Sequence, residues 1–246
     1  MHKNGDYAVS ERENSAILGR LMIYFDKVTK LYSDHAALAD VSFGIEPGEF
    51  VSIVGHSGAG KTTLLRLLLV EDKPTSGSIF FEKTNVHRIK QSYVPEYRRR
   101  IGTVFQDFRL LPNKTAYENI AFAMEAAGRT DDEIRSDVPQ VLELVDLSSK
   151  ALHFPGELSG GEKQRVAIAR AIVSQPDVLI ADEPTGNLDP VNTYDIIQIL
   201  KKINDMGTTV ILTTHNKGII DALKRRVITM DDGHIIRDDK HGKYIL

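Results

Sequence analysis

The stretch GHSGAGKT, Gly55–Thr62, constrains this chain more than any other. It follows the apolar run FVSIVG and precedes the helical run TTLLRLLLV, so it fits GxxxxGKT in the strand–loop–helix setting that gives the pattern its meaning. A buried β-branched run feeding directly into a helix is the opening of a parallel α/β sheet. Glycines let successive backbone N–H groups turn toward phosphate oxygens, and the helix N-terminus completes the nest. Lys61, in the first helical turn, opposes the helix dipole by about 0.3–1 kcal/mol when exposed, and a bound anion reverses that sign. The loop therefore predicts a triphosphate site. Gly55, Ser57, Gly58, Gly60 and Thr63 belong to it, Lys61 meets the β and γ phosphates, and Thr62 offers its hydroxyl to Mg²⁺. His56 and Ala59 are expected to contribute backbone alone.

Other runs repeat the alternation of strand and helix. RIGTVFQ (100–106), DVLIADE (177–183) and TTVILTTH (208–215) are short, β-branched and apolar, as expected of parallel strands covered on both faces. Pro190, at a first helical position, opens the periodic VNTYDIIQILKKIND. RVITMDDGHIIRD is two alternating runs joined through Asp-Gly, a hairpin signal. Between Asp107 and Glu157 the chain turns helical, through NKTAYENIAFAMEAAG and DDEIRSDVPQVLELVDL. The expected architecture is an α/β core over 22–246 with a helical subdomain inserted at about 107–165. Residues 1–21 are polar and unpatterned and read as a flexible tail; either Met22 is the true start or the tail is an added segment.

Composition narrows the function. A chain of 246 residues, 41% of them hydrophobic, is long enough for one sizeable core. A net charge of -3 supplies no basic field, so nucleic acid is not expected as the main partner. Cysteine is absent, which excludes disulfides and thiolate metal sites. No run approaches the roughly 18 apolar residues of a membrane span, so any membrane contact goes through a partner.

Asp182 and Glu183 end an otherwise apolar run, where adjacent carboxylates repel unless a cation lies nearby. Asp182 suits a Mg²⁺ shell, through water, and Glu183 can polarise a water aimed at a γ-phosphate. Successive strand residues point to opposite sides, so the two need not share a role. LSGGEKQR, 158–165, then places Gly160 and Gly161 in the first turn of a second helix, behind Ser159 as N-cap. Glycine there costs about 1 kcal/mol against alanine. It also bares backbone donors at a positive helix end, which makes a second anion site.

Taken together, GHSGAGKT, DVLIADE and LSGGEKQR resemble the ATP-binding subunits of ABC transporters and related machines, across nearly all of 22–246. The resemblance implies a P-loop NTPase core of the ABC nucleotide-binding type, with an N-terminal antiparallel β-subdomain and an inserted α-helical subdomain. It also implies ATP and Mg²⁺ as cofactors and a head-to-tail homodimer joined through ATP. In such a dimer Ser159, Gly160, Gly161 and Glu162 of one copy close over the nucleotide held by the other. Residue by residue, Gln106 is similar to the glutamine that senses metal and water. Asp189 in GNLD, beside Asn187 and Leu188, is similar to the aspartate that couples the two sites. His215 is similar to the switch histidine that contacts the γ-phosphate, and acts with Glu183 as a catalytic residue. The metal set is then Thr62, Gln106 and Asp182. Tyr32 resembles the aromatic that stacks on adenine; a purely structural aromatic is the other reading. His56, Thr62 and Lys163 are mild departures from the common residues.

Within the family, QDFRLLPNKTAYENIAFA (106–123), EDKPTSGSIFF and RVITMDDGHIIRD are most similar to its cell-division branch. That likeness implies an integral membrane partner, a peripheral position on the cytoplasmic face of the cell membrane, and signalling to cell-wall hydrolases. Phe108, Leu110 and Leu111 are candidate apolar anchors for a helix of the membrane subunit, or else pack inside the helical subdomain. The competing expectations are the ATPase of a solute or lipoprotein exporter, and a soluble clamp on DNA or ribosomes. The clamp needs a coiled-coil insertion or a second cassette, and neither is in the sequence.

Overall fold

The computed structural model describes residues 19–33, 35–240 and 242. Most of the expected tail, residues 1–18, lies outside the described residues. In chain order the elements are β1 (Ile23–Tyr32), β2 (His35–Ile45), β3 (Phe50–Val54), α1 (Lys61–Leu68), β4 (Ser76–Phe81), β5 (Thr84–Asn85), α2 (Val94–Arg99) and β6 (Ile101–Phe105). There follow α3 (Ala116–Ala126), α4 (Asp131–Leu144), α5 (Gly160–Ile172), β7 (Val178–Asp182), α6 (Pro190–Asp205), β8 (Thr209–Thr213), α7 (Lys217–Leu223), β9 (Arg226–Asp231) and β10 (His234–Asp239).

The strands form two sheets, one in the order β2-β1-β4-β5 and antiparallel, the other in the order β10-β9-β3-β8-β7-β6. In the second sheet β9, β3, β8, β7 and β6 are parallel, and β10 folds back antiparallel at the edge through the Asp232-Gly233 turn. Its register is what places the site. Phe105 pairs with Asp182, Asp182 with Thr213, and Ile53 with the same Thr213. The carboxyl ends of β3, β6, β7 and β8 are therefore flush, and the segments that follow them emerge along one edge, where ligands bind in open parallel sheets.

Alternation along these strands feeds two cores. Val104, Leu179, Ala181, Val210 and Leu212 pack with Ile120, Met124, Ile168, Ile196 and Leu200 of the helices. Val51, Ile53, Val178, Ile180 and Ile211 face Leu64, Leu67 and Leu68 of α1 and Phe25, Phe43 and Phe81 of the small sheet. Each fully buried side chain of this size contributes about 1.5–3 kcal/mol. The first core runs on into Ile134, Val138 and Leu142 of α4, so the helical segment after Gln106 shares its apolar cluster with the sheet. Its helices start on local signals. Thr115/Glu118, Thr130/Glu133 and Ser159/Glu162 each close a capping box, reading as T-x-x-E or S-x-x-E in the chain. α5 continues past residue 165 to Ile172 and packs its later turns on β6.

Candidate active site

The chain leaves β3 into the glycine loop and enters α1 at Lys61. Gly60 caps that helix with φ 101°, and a Cβ there would sit 2.5 Å from the Ala37 carbonyl oxygen, so both backbone and neighbour demand glycine. No side chain caps α1. Its first-turn amides are thus left to whatever enters the adjoining groove. Lys61, 9% exposed, folds its Nζ back onto the carbonyls of Gly55 (2.8 Å) and His56 (3.0 Å). His56 does more than lend backbone. Its Nδ1 donates to the Ser57 carbonyl (2.7 Å) and its Nε2 meets Asp231 Oδ1 at 2.6 Å, contacts that raise the imidazole pKa and tie the loop to the end of β9.

One groove of about 670 Å³ gathers His56, Ser57, Gly58, Gly60, Lys61, Thr62 and Thr63 with Gln106, Asp182, Glu183 and His215. These residues come from four separate segments, and the flush strand ends bring them together. Glu183 and His215 were expected within strands, but β7 stops at Asp182 and β8 at Thr213. Glu183 turns out of the strand at φ 49°, its amide donating to both the carbonyl and Oγ1 of Thr213 (3.1 Å each). Strand alternation therefore does not set the relation of Asp182 to Glu183; this left-handed turn does. It carries the Glu183 carboxylate to 2.9–3.0 Å from His215 Nδ1. Thr213 also donates its hydroxyl to Asp182 Oδ1 (2.5 Å), so one fully buried threonine orients both acidic residues. Sequence reading missed it, although a threonine in the buried run TVILT was the available signal.

From this groove a bridge leads to the second glycine-rich helix start. Gln106 Nε2 donates to Asn187 Oδ1 (3.1 Å), and Leu188 lies against Gly160. Asp189 caps α6, accepting from the amides of Val191 and Asn192 (2.9 Å each) and from Asn192 Nδ2 (2.5 Å), contacts that lower its carboxyl pKa. Ser159 and Glu162 are occupied with each other. The Ser159 amide donates to Glu162 Oε2 (2.7 Å), and the Glu162 amide to Ser159 Oγ (3.2 Å). The amides of Gly160 and Gly161, at the first two helical positions, have no partner within the helix. None of Ser159, Gly160, Gly161, Glu162 or Asp189 lines the phosphate-loop groove.

The two glycines have different causes. A Cβ on Gly161 would meet Asn192 Oδ1 at 1.8 Å, whereas one on Gly160 meets only Leu188 Cδ2 at 3.4 Å. Close packing of α5 on α6 explains Gly161, and packing leaves Gly160 unexplained. Gly161→Ala is expected to push Asn192 off Asp189 and lower stability by about 1–3 kcal/mol. Gly160→Ala should leave unfolding within about 1 kcal/mol of the parent. Urea unfolding of both variants checks the pair.

Tyr32 stands at the end of β1, 42% exposed, with its ring 4.7 Å from Lys30 Nζ and its hydroxyl donating to Asp72 Oδ2 (2.5 Å). It lines a second groove with Leu65, Arg66 and Asp72, which adjoins the first at Thr62 and Asp182. Hydrogen bonds from Lys30 and then Tyr32 hold the Asp72 carboxyl down to about 2, from an ordinary 3.8. The unfolded chain takes up this proton first. The anchor's contribution is therefore complete above 3.8 and is lost as pH falls toward about 2. Thermal unfolding of Asp72→Asn should show a shallower pH dependence than the parent across that window.

The chain is similar to known proteins along most of its length. The sequence profile of the family described as ABC transporter matches residues 38–186. The cell division ATP-binding protein FtsE of Mycobacterium tuberculosis is 51% identical over 226 residues, covering 91% of this chain and 98% of that protein. FtsE of Bacillus subtilis is 50% identical over 224 residues (91% and 98%), and FtsE of Escherichia coli K12 45% over 215 (87% and 97%). Among solved structures, the ATP-binding cassette MJ0796, a dimer in a post-hydrolysis state bound to ADP and Pi, superposes with a TM-score of 0.81 at 36% identity, covering 91% of this chain and all of that one. CbiO1 of Clostridium perfringens, part of the ABC transporter complex cbiONQ, gives 0.84 at 31% (90% and 89%). The chain belongs to the ATP-hydrolysing subunits of the ABC transporter family, in their FtsE-like branch.

Proposed function

We propose that two copies of this chain bind ATP between them, and that closing and reopening of the pair drives a membrane subunit resembling FtsX. The single observation that carries this is the separation within one chain: the groove holds the phosphate loop with Glu183 and His215, while the bare tip at Ser159–Gly161 lies outside it. A second copy, placed head to tail, supplies that tip to the triphosphate. In this reading Gly55–Thr63 and Lys61 cradle the phosphates, and Tyr32 supports the adenine. Glu183 takes the proton of the attacking water, and His215, 68% exposed and in contact with Glu183, faces the γ-phosphate. Asp189 and Asn187 link the two sites through the bridge from Gln106.

Thr62 Oγ1, the Gln106 amide oxygen and the Asp182 carboxylate form an all-oxygen donor set suited to Mg²⁺, which keeps waters and shares substrate phosphates rather than filling a protein cage. When bound, Mg²⁺ supplies charge neutralisation at the phosphates.

No helix among the described residues is long and apolar enough to cross a membrane. The membrane subunit docks in a groove of about 390 Å³ between β6 and α3, lined by Leu111, Phe122 and Ala126 and bordered by Arg98, Arg99 and Arg109. Of the candidate anchors, Leu111 lines this groove, while Leu110 packs onto the helical core. The complex sits on the cytoplasmic face of the cell membrane and signals to cell-wall hydrolases during division. Affinity purification of the tagged chain from membranes is expected to recover one integral membrane subunit, and deleting that subunit should move the chain to the soluble fraction. Recovery of a solute permease would favour the exporter reading, and a soluble chain in both strains would contradict both.

A further inference from the structure

The segment after Gln106 takes an unusual path. Phe108 and Arg109, consecutive residues with side chains, have φ of 58° and 47°, a conformation L residues rarely adopt. Something must over-determine it. The segment's own contacts are modest. Arg109 stacks its guanidinium 3.6 Å from the Phe105 ring centre and bonds Asp107 at 3.1 Å, both on the exposed side.

The stronger grip comes from α5. Arg170, in the last turn of that helix, donates from one terminal nitrogen to the Arg109 carbonyl (2.6 Å) and from the other to the Phe108 carbonyl (3.0 Å). The planar fork of arginine is what lets one side chain fix two successive carbonyls. Burial lowers the guanidinium pKa, and among the described residues no acidic neighbour offsets it. A half-buried arginine with no carboxylate partner among the described residues, spent on two backbone oxygens in the left-handed region, is doing something other than closing an ion pair. Gln164, also on α5 and fully buried, reaches the Phe105 carbonyl at 3.5 Å. The helix whose N-terminal tip is Ser159–Gly161 thus holds the start of the Gln106 segment, at Phe105, and its middle, at Phe108 and Arg109, while the buried Asn119 of α3 holds its end through the Leu111 amide (2.8 Å) and carbonyl (3.1 Å).

We propose that Arg170 is a positioning residue that locks the 106–111 segment to α5, so that the Ser159 tip and Gln106 move as one body. The 13 residues of α5, about 20 Å of hydrogen-bonded helix, connect the tip to the grip on the segment. Closure of the tip on a second copy's nucleotide is then felt at Gln106, and a push on the segment from the docking groove is felt at the tip. The inference rests on the roles given above to Gln106 and Ser159.

The test uses the purified full chain with substitutions Arg170→Met, Arg170→Lys and Arg170→Met/Arg109→Gly. In Arg170→Met the amides of 107–111 should exchange about tenfold faster or more, with the buried amides of α5 unchanged. Its kcat should fall about tenfold with KM for ATP within about threefold. Arg170→Lys, whose ammonium reaches one carbonyl at a time, should lie between, and glycine at 109, free to adopt positive φ, should recover part of kcat. Exchange and kcat both at parental levels in Arg170→Met would overturn the proposal. So would a loss that follows the fall in thermal stability and recovers in neither of the other variants. Gln106→Ala is measured alongside. If it leaves kcat unchanged while Arg170→Met still loosens 107–111, the lock stands and the reading of Gln106 falls.

Discussion

Replacing Glu183 with glutamine is expected to lower ATP turnover by about 10²- to 10⁴-fold, the range general-base catalysis supplies, while ATP still binds. Glutamine has the same shape and can stay in contact with His215 Nδ1. The left-handed turn is held through backbone and Thr213, neither of which the substitution touches. The negative charge and, with it, the capacity to accept a proton are removed, while the side chain keeps its size. The phosphate loop and Lys61 lie across the groove and should hold nucleotide as before. A variant that neither splits nor loses ATP keeps the contacts that favour the closed pair, and so shifts the population toward it. Single-turnover kinetics with equilibrium ATP binding decides the matter. Turnover within a few-fold of the parent would remove Glu183 from the reaction.

Lys61→Ala should weaken ATP binding by about 10- to 100-fold, as loss of charged hydrogen bonds of about 1.5–3 kcal/mol implies. The ammonium lies on the Gly55 and His56 carbonyls, within the glycine loop. His56 lines the groove, where water can reach its carbonyl, but Gly55 is buried and its carbonyl loses a partner, so stability should fall by about 1–3 kcal/mol. Urea unfolding read beside ATP affinity separates the two effects. Unchanged ATP affinity in a folded variant would mean that the loop does not hold the triphosphate.

Much of the fold is legible in the amino-acid sequence, for physical reasons that differ by element. β3, β7 and β8 are buried on both faces and announce themselves as continuous apolar runs. α3, α4 and α5 start at capping boxes written within four residues. The phosphate loop and the carboxylates at the end of β7 are equally local. What escaped depends on register and on contacts distant in sequence. Thr213 orients Asp182 and Glu183 because β7 and β8 align them, and no local pattern says so. Asp72 holds Tyr32 across 40 residues, and Arg170 reaches Phe108 across 62. Gly161 had read as a bared helix tip, yet its contact with Asn192 shows that packing requires it too. α2, a short polar helix over Val94–Arg99, carries too little periodicity to be seen.

The central claim is that a whole reaction centre needs two copies, and the mass of the Glu183→Gln chain in ATP and Mg²⁺ tests it most directly. Light scattering should give twice the 27.4 kDa of the chain, and Gly160→Glu added to that background should return it to the single mass with its fold intact. An unsubstituted chain that hydrolyses ATP at full rate while remaining at 27.4 kDa would contradict the account.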